Sequence, residues 1–234
     1  MKAILFDVDD TLYDQVVPFT LAYKKIFQNR FMVAIEELYK SSRKYSDEVF
    51  LATQKGEMSM EEMYIYRLEK AFAQFGIKIT KEEALAMQEE YARNQKKLKL
   101  EEEMEQALIL CKKQEVKVGI ITNGPEAHQW NKIKSLGIEK YIPRDYIFVS
   151  GEIKVAKPDI AIFEYAEKKM GFRKEEGYYI GDSYDNDIVG AKNAGWKSIW
   201  INRRKHKTIK NEIKPDYYVE SGADLLELLV SKIL

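Results

Sequence analysis

The first two strand-like runs of this chain, residues 2–6 and 116–121, lie about a hundred residues apart, whereas a crossover between parallel strands needs only about a dozen. A substantial insertion therefore separates them. Runs at 146–149, 178–180 and 198–201, with a candidate sixth at 217–219, share their character: short and near-continuous in apolar or β-branched residues. Strands of that composition are covered on both faces, and helix-like segments fall between most of them. The pattern predicts an α/β fold, a Rossmann-like parallel sheet flanked by helices. One helix is expected after Gly124, with Pro125 in its first turn and its end near Gly137; another runs from an N-cap at Asp159 to Gly171.

Residues 15–98 carry four helical stripes. The first holds Phe19, Tyr23, Ile26 and Phe27, and the second Ile35, Leu38, Ser42, Tyr45 and Val49. The third holds Met60, Tyr64, Leu68, Ala71 and Phe75, and the fourth Leu85, Gln88, Tyr91 and Ala92. Ser59 with Glu62 and Thr80 with Glu83 have the capping-box spacing, and Gly76 stands where a helix would stop. Such helices bury their single apolar faces against one another or the main domain. The expectation is a four-helix-type cap domain over 15–98, a catalytic core of 1–14 and 99–234, and hinges near 13–17 and 96–101.

Lys plus Arg and Asp plus Glu both count 38. No overall basic field is available for nucleic acid or an anionic membrane surface, and a small molecule is the better-fitting partner. No apolar run approaches the roughly 20 residues of a membrane-spanning helix. The lone Cys111 makes no internal disulfide, and residues 2–6 lack the long apolar stretch of a signal peptide, which reads as cytoplasmic. Oligomeric state is not written in these features.

Polar residues gather where three of the strand-like runs end, the place where open parallel sheets bind ligands. These are Asp7, Asp9, Asp10 and Thr11 after the first, Thr122 and Asn123 after the second, and Asp182 through Asp187 after the fourth. Carboxylates crowded at one site repel unless a cation neutralises them, and an oxygen-only set favours Mg²⁺ over zinc. Asp7 and Asp9, two residues apart, can face the same side at a strand end, one to attack phosphorus and one to move protons. An aspartate that displaces alcohol from a phosphomonoester forms an aspartyl phosphate, dividing one hard hydrolysis into two easier steps. Donors for the transferring phosphoryl group are Thr122, backbone N–H groups near Asp9, and Lys157, which Pro158 keeps out of a helical conformation.

These motifs resemble those of the haloacid dehalogenase superfamily, in its phosphatase branch with a helical cap after the first strand. The resemblance covers the whole chain. Its four motifs correspond to Asp7, Asp9 and Thr11; to Thr122; to Lys157 and Pro158; and to Gly181, Asp182 and Asp187. The resemblance implies Mg²⁺ held by the Asp7 carboxylate, the Asp9 backbone carbonyl and Asp182, with Asp187 supporting the metal's water shell or Lys157. Halide-displacing members lack an aspartate two places after the nucleophile. Halide leaves without a proton and an alkoxide does not, so Asp9 points to phosphate esters. The phosphonate-cleaving branch would require a Schiff-base lysine in the cap. The stretch from Glu152 to Pro158 and the sequence Gly181-Asp182-Ser183 are similar to cytosolic nucleoside-monophosphate phosphatases of the family. Sugar-phosphate and phosphoglycolate phosphatases use caps of the same kind, and a phosphomutase shares the core motifs. Cap closure over a bound ester would exclude bulk water. A phosphoacceptor switch or a binding protein without turnover are readings of another class, against which the insertion and Asp9 both speak.

Other polar residues read more simply. Asp10 is a turn residue beside two functional acids, and Asn123 is either a turn residue or a phosphate contact. Arg203, Arg204 and Lys205 read as a solvated loop, Gly181 and Gly195 as backbone punctuation, and Cys111 as core. His128 and His206 have no metal-ligand spacing.

Overall fold

A computed structural model describes residues 1–206 and 213–234. The chain forms two compact units, one of Met1–Asp14 with Leu98–Leu234 and one of Gln15–Lys97. The first is built on six strands: β1 (Ala3–Phe6), β2 (Lys117–Thr122), β3 (Ile147–Val149), β4 (Gly177–Gly181), β5 (Lys197–Ile201) and β6 (Tyr217–Val219). Their order is β3-β2-β1-β4-β5-β6, and every neighbouring pair is parallel. Leu98, the last residue of the range expected for the insert, is buried in the core of this unit.

The second unit contains α1 (Val16–Phe27), α2 (Ile35–Glu48), a short α3 (Phe50–Gln54), α4 (Met60–Ala73) and α5 (Lys81–Gln95). Both capping boxes form: the Ser59 and Thr80 side chains accept from the N–H groups of Glu62 and Glu83, whose carboxylates accept in return. Phe19, Tyr23, Phe27, Leu38, Leu68, Phe72 and Met87 fill the centre. The faces of α4 and α5 differ from the expected stripes. Met63, Arg67, Leu68, Ala71 and Phe72 are buried on α4, while Met60 and Phe75 are exposed; on α5, Ala84 and Met87 are buried and Leu85 is only half-buried. Both stripes keep a 3.6-residue period, but the buried arc is set by the neighbouring helices, and α4 packs on both α2 and α5.

In the α/β unit the remaining helices are α6 (Glu102–Lys113), α7 (Glu126–Leu136), α8 (Ser150–Ile153), α9 (Ile160–Met170), α10 (Gly190–Asn193) and α11 (Gly222–Leu228). Alternation along the strands divides the core into two layers. Ile4, Phe6, Ile120, Ile180 and Ile199 meet Met104, Leu108, Cys111, Ile133 and Leu225 of α6, α7 and α11. Ala3, Leu5, Ile121 and Tyr179 meet Phe163, Met170 and Ala191 of α9 and α10, together with Trp196. Pro125 is the N-cap residue of α7 rather than part of its first turn. Asp159 caps α9 through Ala161 N–H at 3.0 Å, so Pro158 lies outside that helix. Gly137 and Gly171 end α7 and α9 in the left-handed conformation.

Candidate active site

Strand β1 stands where the strand order turns: β2 and β3 lie to one side of it, and β4, β5 and β6 to the other. The carboxyl end of such a strand opens into a crevice, because the connections on its two sides depart in opposite directions. Asp7 is the first residue beyond β1 and still belongs to the ladder, its N–H donating to the Ile180 carbonyl at 2.8 Å. The chain turns sharply at Asp10, which has φ +54°. Thr122 ends β2, and Asp182 follows β4.

Lys157 ties these ends together. Its buried ammonium donates to Asp7 Oδ1 at 2.8 Å, Asp187 Oδ1 at 2.6 Å and the Tyr179 hydroxyl at 2.7 Å, so all three of its protons are engaged. Burial alone would pull its pKa down, but Asp187 and Asp7 outweigh that and hold it well above the ordinary lysine range. The Tyr179 hydroxyl in turn donates a hydrogen bond to the Ile121 carbonyl at 2.6 Å. The main chain of Lys157 is fixed as well: Asn123 Nδ2 donates to its carbonyl at 2.8 Å and Asn123 Oδ1 accepts from its N–H at 2.9 Å. The Asn123 amide is thus engaged on both sides in holding the lysine segment.

Asp187 lies in a π-helical segment, Tyr184–Val189, and is 1% exposed. It accepts from Ser183 N–H at 2.9 Å as well as from Lys157. A Cβ at Gly181 would occupy the position of the Asp187 carboxylate, so Gly181 serves this close approach rather than a turn.

Asp9 has a separate set of partners. Lys132 Nζ contacts both its carboxylate oxygens, at 2.7 and 2.6 Å. The Tyr13 hydroxyl donates to Oδ1 at 2.5 Å, and Gln129 Nε2 lies 3.1 Å from both Asp9 Oδ2 and Thr122 Oγ1. Burial raises the Asp9 pKa, but Lys132 above all, with hydrogen bonds from Lys132, Tyr13 and Gln129, holds it below the usual carboxylate range. Sequence reasoning missed Lys132 and Gln129. Both lie on α7, one turn apart, and both are buried.

Ligand oxygens of Asp7, Asp182 and Asp187 all lie within 4.8 Å of one another. Burial is the largest influence on the Asp7 carboxyl; Lys157 opposes it, Asp187 and Asp9 add to it, and the pKa is pushed up to about 7. One lysine thus leaves the acidic cluster short of positive charge. An oxygen-only set lacking a compensating charge is the donor set of a hard divalent cation, and these residues fit Mg²⁺.

Arg203 and Arg204 are not a solvated loop. Arg203 donates to the carbonyls of Asp10 and Thr11 at 3.1 and 2.9 Å and pairs with Glu101 at 2.7 Å. Arg204 pairs with Asp10 at 3.1 Å and with Asp14. The loop after β5 thereby braces the segment that carries Asp7 and Asp9. Among the described residues, no helix is long and apolar enough to cross a membrane.

A parallel sheet with a helical insert after its first strand, and an Asp7-Lys157-Asp187 cluster at its switch point, define a hydrolase class. Residues 1–195 match the model of the haloacid dehalogenase-like hydrolases, and the chain belongs to that family. It is 30% identical over 229 residues to the glyceraldehyde 3-phosphate phosphatase of Methanothermobacter thermautotrophicus, covering 96% of this chain and 94% of that protein. It is 36% identical over 114 residues to the pyrimidine 5'-nucleotidase YjjG of Escherichia coli, a match spanning about half of each, 48% and 49%. The crystal structure of the magnesium-bound haloacid dehalogenase-type hydrolase YfnB from Bacillus subtilis superimposes with a TM-score of 0.71 at 26% identity, covering 97% and 98% of the two chains.

Proposed function

We propose that this protein is a Mg²⁺-dependent phosphomonoesterase acting on a small phosphorylated metabolite through an aspartyl phosphate on Asp7. One observation carries the reading: Asp7 is buried at the switch point of the sheet with Lys157 2.8 Å from its carboxylate, and Asp9 follows two residues on. In the first step an Asp7 oxygen bonds to phosphorus, the bond from phosphorus to the ester oxygen breaks, and Asp9, which has taken a proton from the bound ester's monoanion, gives it to the departing alkoxide. In the second, Asp9 removes a proton from water, the water oxygen bonds to phosphorus, and the bond to Asp7 breaks to release phosphate. Thr122, Lys157 and backbone N–H groups beyond β1 are the donors for the phosphoryl oxygens. The Asp7 carboxylate, the Asp9 carbonyl and Asp182, with Asp187 in support, would hold Mg²⁺, which neutralises the acids and draws charge from the phosphoryl oxygens. Asn123 and Tyr179 keep Lys157 in place.

A sugar-derived phosphate is the substrate class best supported, because the relations to a triose-phosphate phosphatase and to an N-acylneuraminate-9-phosphatase extend over 96% and 99% of the chain. The relation to a nucleotidase is confined to about half of it. The test is phosphate release from p-nitrophenyl phosphate and a panel of sugar phosphates and nucleotides, with and without Mg²⁺, for the native protein and Asp7→Asn. Release that requires Mg²⁺ and vanishes in the variant is expected. Absence of turnover of every ester overturns the reading.

A further inference from the structure

Arg67, on α4 of the helical unit, is 4% exposed. Its guanidinium donates to Gln88 Oε1 and lies 5.8 Å from the ring centroids of both Tyr64 and Tyr91. No carboxylate among the described residues pairs with it, and its Nε has no partner. Burial pulls its pKa below the ordinary arginine value, and the positive charge of Arg43 adds to that, while Tyr91, Tyr64 and Tyr39 oppose it. The phenols are held in place: the Tyr39 and Tyr91 hydroxyls converge on Gln15 Oε1 at 3.2 and 3.1 Å. Gln15 is the first residue of the unit, so this polar cluster lies at the end of the bundle where the chain enters it.

A buried cation without an anion is costly, and an apolar side chain of similar volume would serve packing better. Cation–π contact and one amide offset part of that cost but leave the flat fork of N–H donors short of the acceptor it matches best, a carboxylate or phosphate. The surroundings discriminate between these two. Gln88, Tyr64 and Tyr91, which touch the guanidinium, are neutral, and Arg43, the other cation acting on it, is paired with Asp47 at 3.9 Å, so the net charge facing a ligand is that of Arg67 and suits a monoanion.

We propose that Arg67 anchors a carboxylate-binding site in the helical unit. The carboxylate belongs to a small organic acid bound within this unit, and the site does not rest on the phosphatase reading.

Thermal melting tests the proposal. Melting temperatures of the native protein and of Arg67→Met are compared in glycerate, lactate, glycolate and pyruvate at constant ionic strength. At least one acid is expected to raise the native midpoint by about 2 °C or more and to leave Arg67→Met unmoved. Arg67→Lys, which keeps the charge and loses the fork, provides the same comparison if the methionine variant does not fold, with a reduced shift expected. A thermal shift without turnover of any ester removes the phosphatase reading and leaves the carboxylate site standing. The proposal is overturned if no acid distinguishes the native midpoint from the variants'.

Discussion

The ammonium of Lys132 lies 2.7 and 2.6 Å from the two carboxylate oxygens of Asp9, so the acid two residues beyond Asp7 is stationed as a carboxylate by a lysine from α7. A low pKa keeps Asp9 in the ionised form from which the water-activating step starts. In Lys132→Met the largest influence lowering that pKa is gone, and the proton-accepting form appears only at higher pH. The acid limb of the kcat profile is expected to move up by about one pH unit or more. Stability at pH 7 should fall by about 3 kcal/mol, because a largely buried carboxylate loses its partner. A depressed pKa contributes stability above the unfolded value that is lost as pH falls through the folded one, so this difference should narrow in acid. Urea denaturation at pH 7 and pH 3 measures both terms.

Asp7 has the opposite sign. Its carboxyl is pushed from 3.8 to about 7 by burial first, so the folded protein binds this proton more tightly than the unfolded chain does. The resulting stability is complete below about pH 4 and lost as pH rises through 7. Asp7→Asn has no such cost. Its melting temperature should match the native value near pH 4 and exceed it by several degrees at pH 8, and Mg²⁺ should narrow that gap by stabilising only the native protein.

Asn123 acts through the main chain of Lys157. In Asn123→Ala both hydrogen bonds to that segment are lost, and kcat/KM for any ester turned over should fall about tenfold or more. The melting temperature should drop by only a few degrees. A loss of activity merely proportional to unfolded protein would contradict this role.

Asp182 belongs to the acidic cluster without touching Lys157 among the contacts described. In Asp182→Asn the Mg²⁺ concentration for half-maximal activity should rise about 10- to 100-fold, with activity recovering at saturating metal. Titration of phosphate release against Mg²⁺ checks this.

Strands and caps were legible because each is specified locally. The apolar runs of β1, β2 and β4 have no solvent-facing side to encode, and Ser59 with Glu62 or Thr80 with Glu83 form helix starts within four residues. Asp7, Asp9, Thr122, Lys157, Asp182 and Asp187 stood out because each follows a strand-like run or sits beside a proline. Lys132 and Gln129 did not. On an amphipathic helix a polar residue reads as surface, and only the three-residue spacing on the helix after Thr122 hinted that both turn inward. Arg67 was hidden for the same reason: a stripe drawn through Tyr64 and Leu68 passes it by, since the facing helices decide which arc of α4 is covered. Tyr179 sits in an apolar run, where its hydroxyl carries no pattern of its own.

The central place of β1 governs the order in which this molecule can assemble. Ala3 pairs with Lys117 on one side and Gly177 on the other, so β1, made before the other five strands of its sheet, finds its partners only after the intervening chain is made. The helices of Gln15–Lys97 complete their own apolar centre within one continuous stretch and need nothing that is synthesised later. During translation the insert therefore has the shorter route to a folded state, while the aspartate-bearing strand waits unpaired for its neighbours.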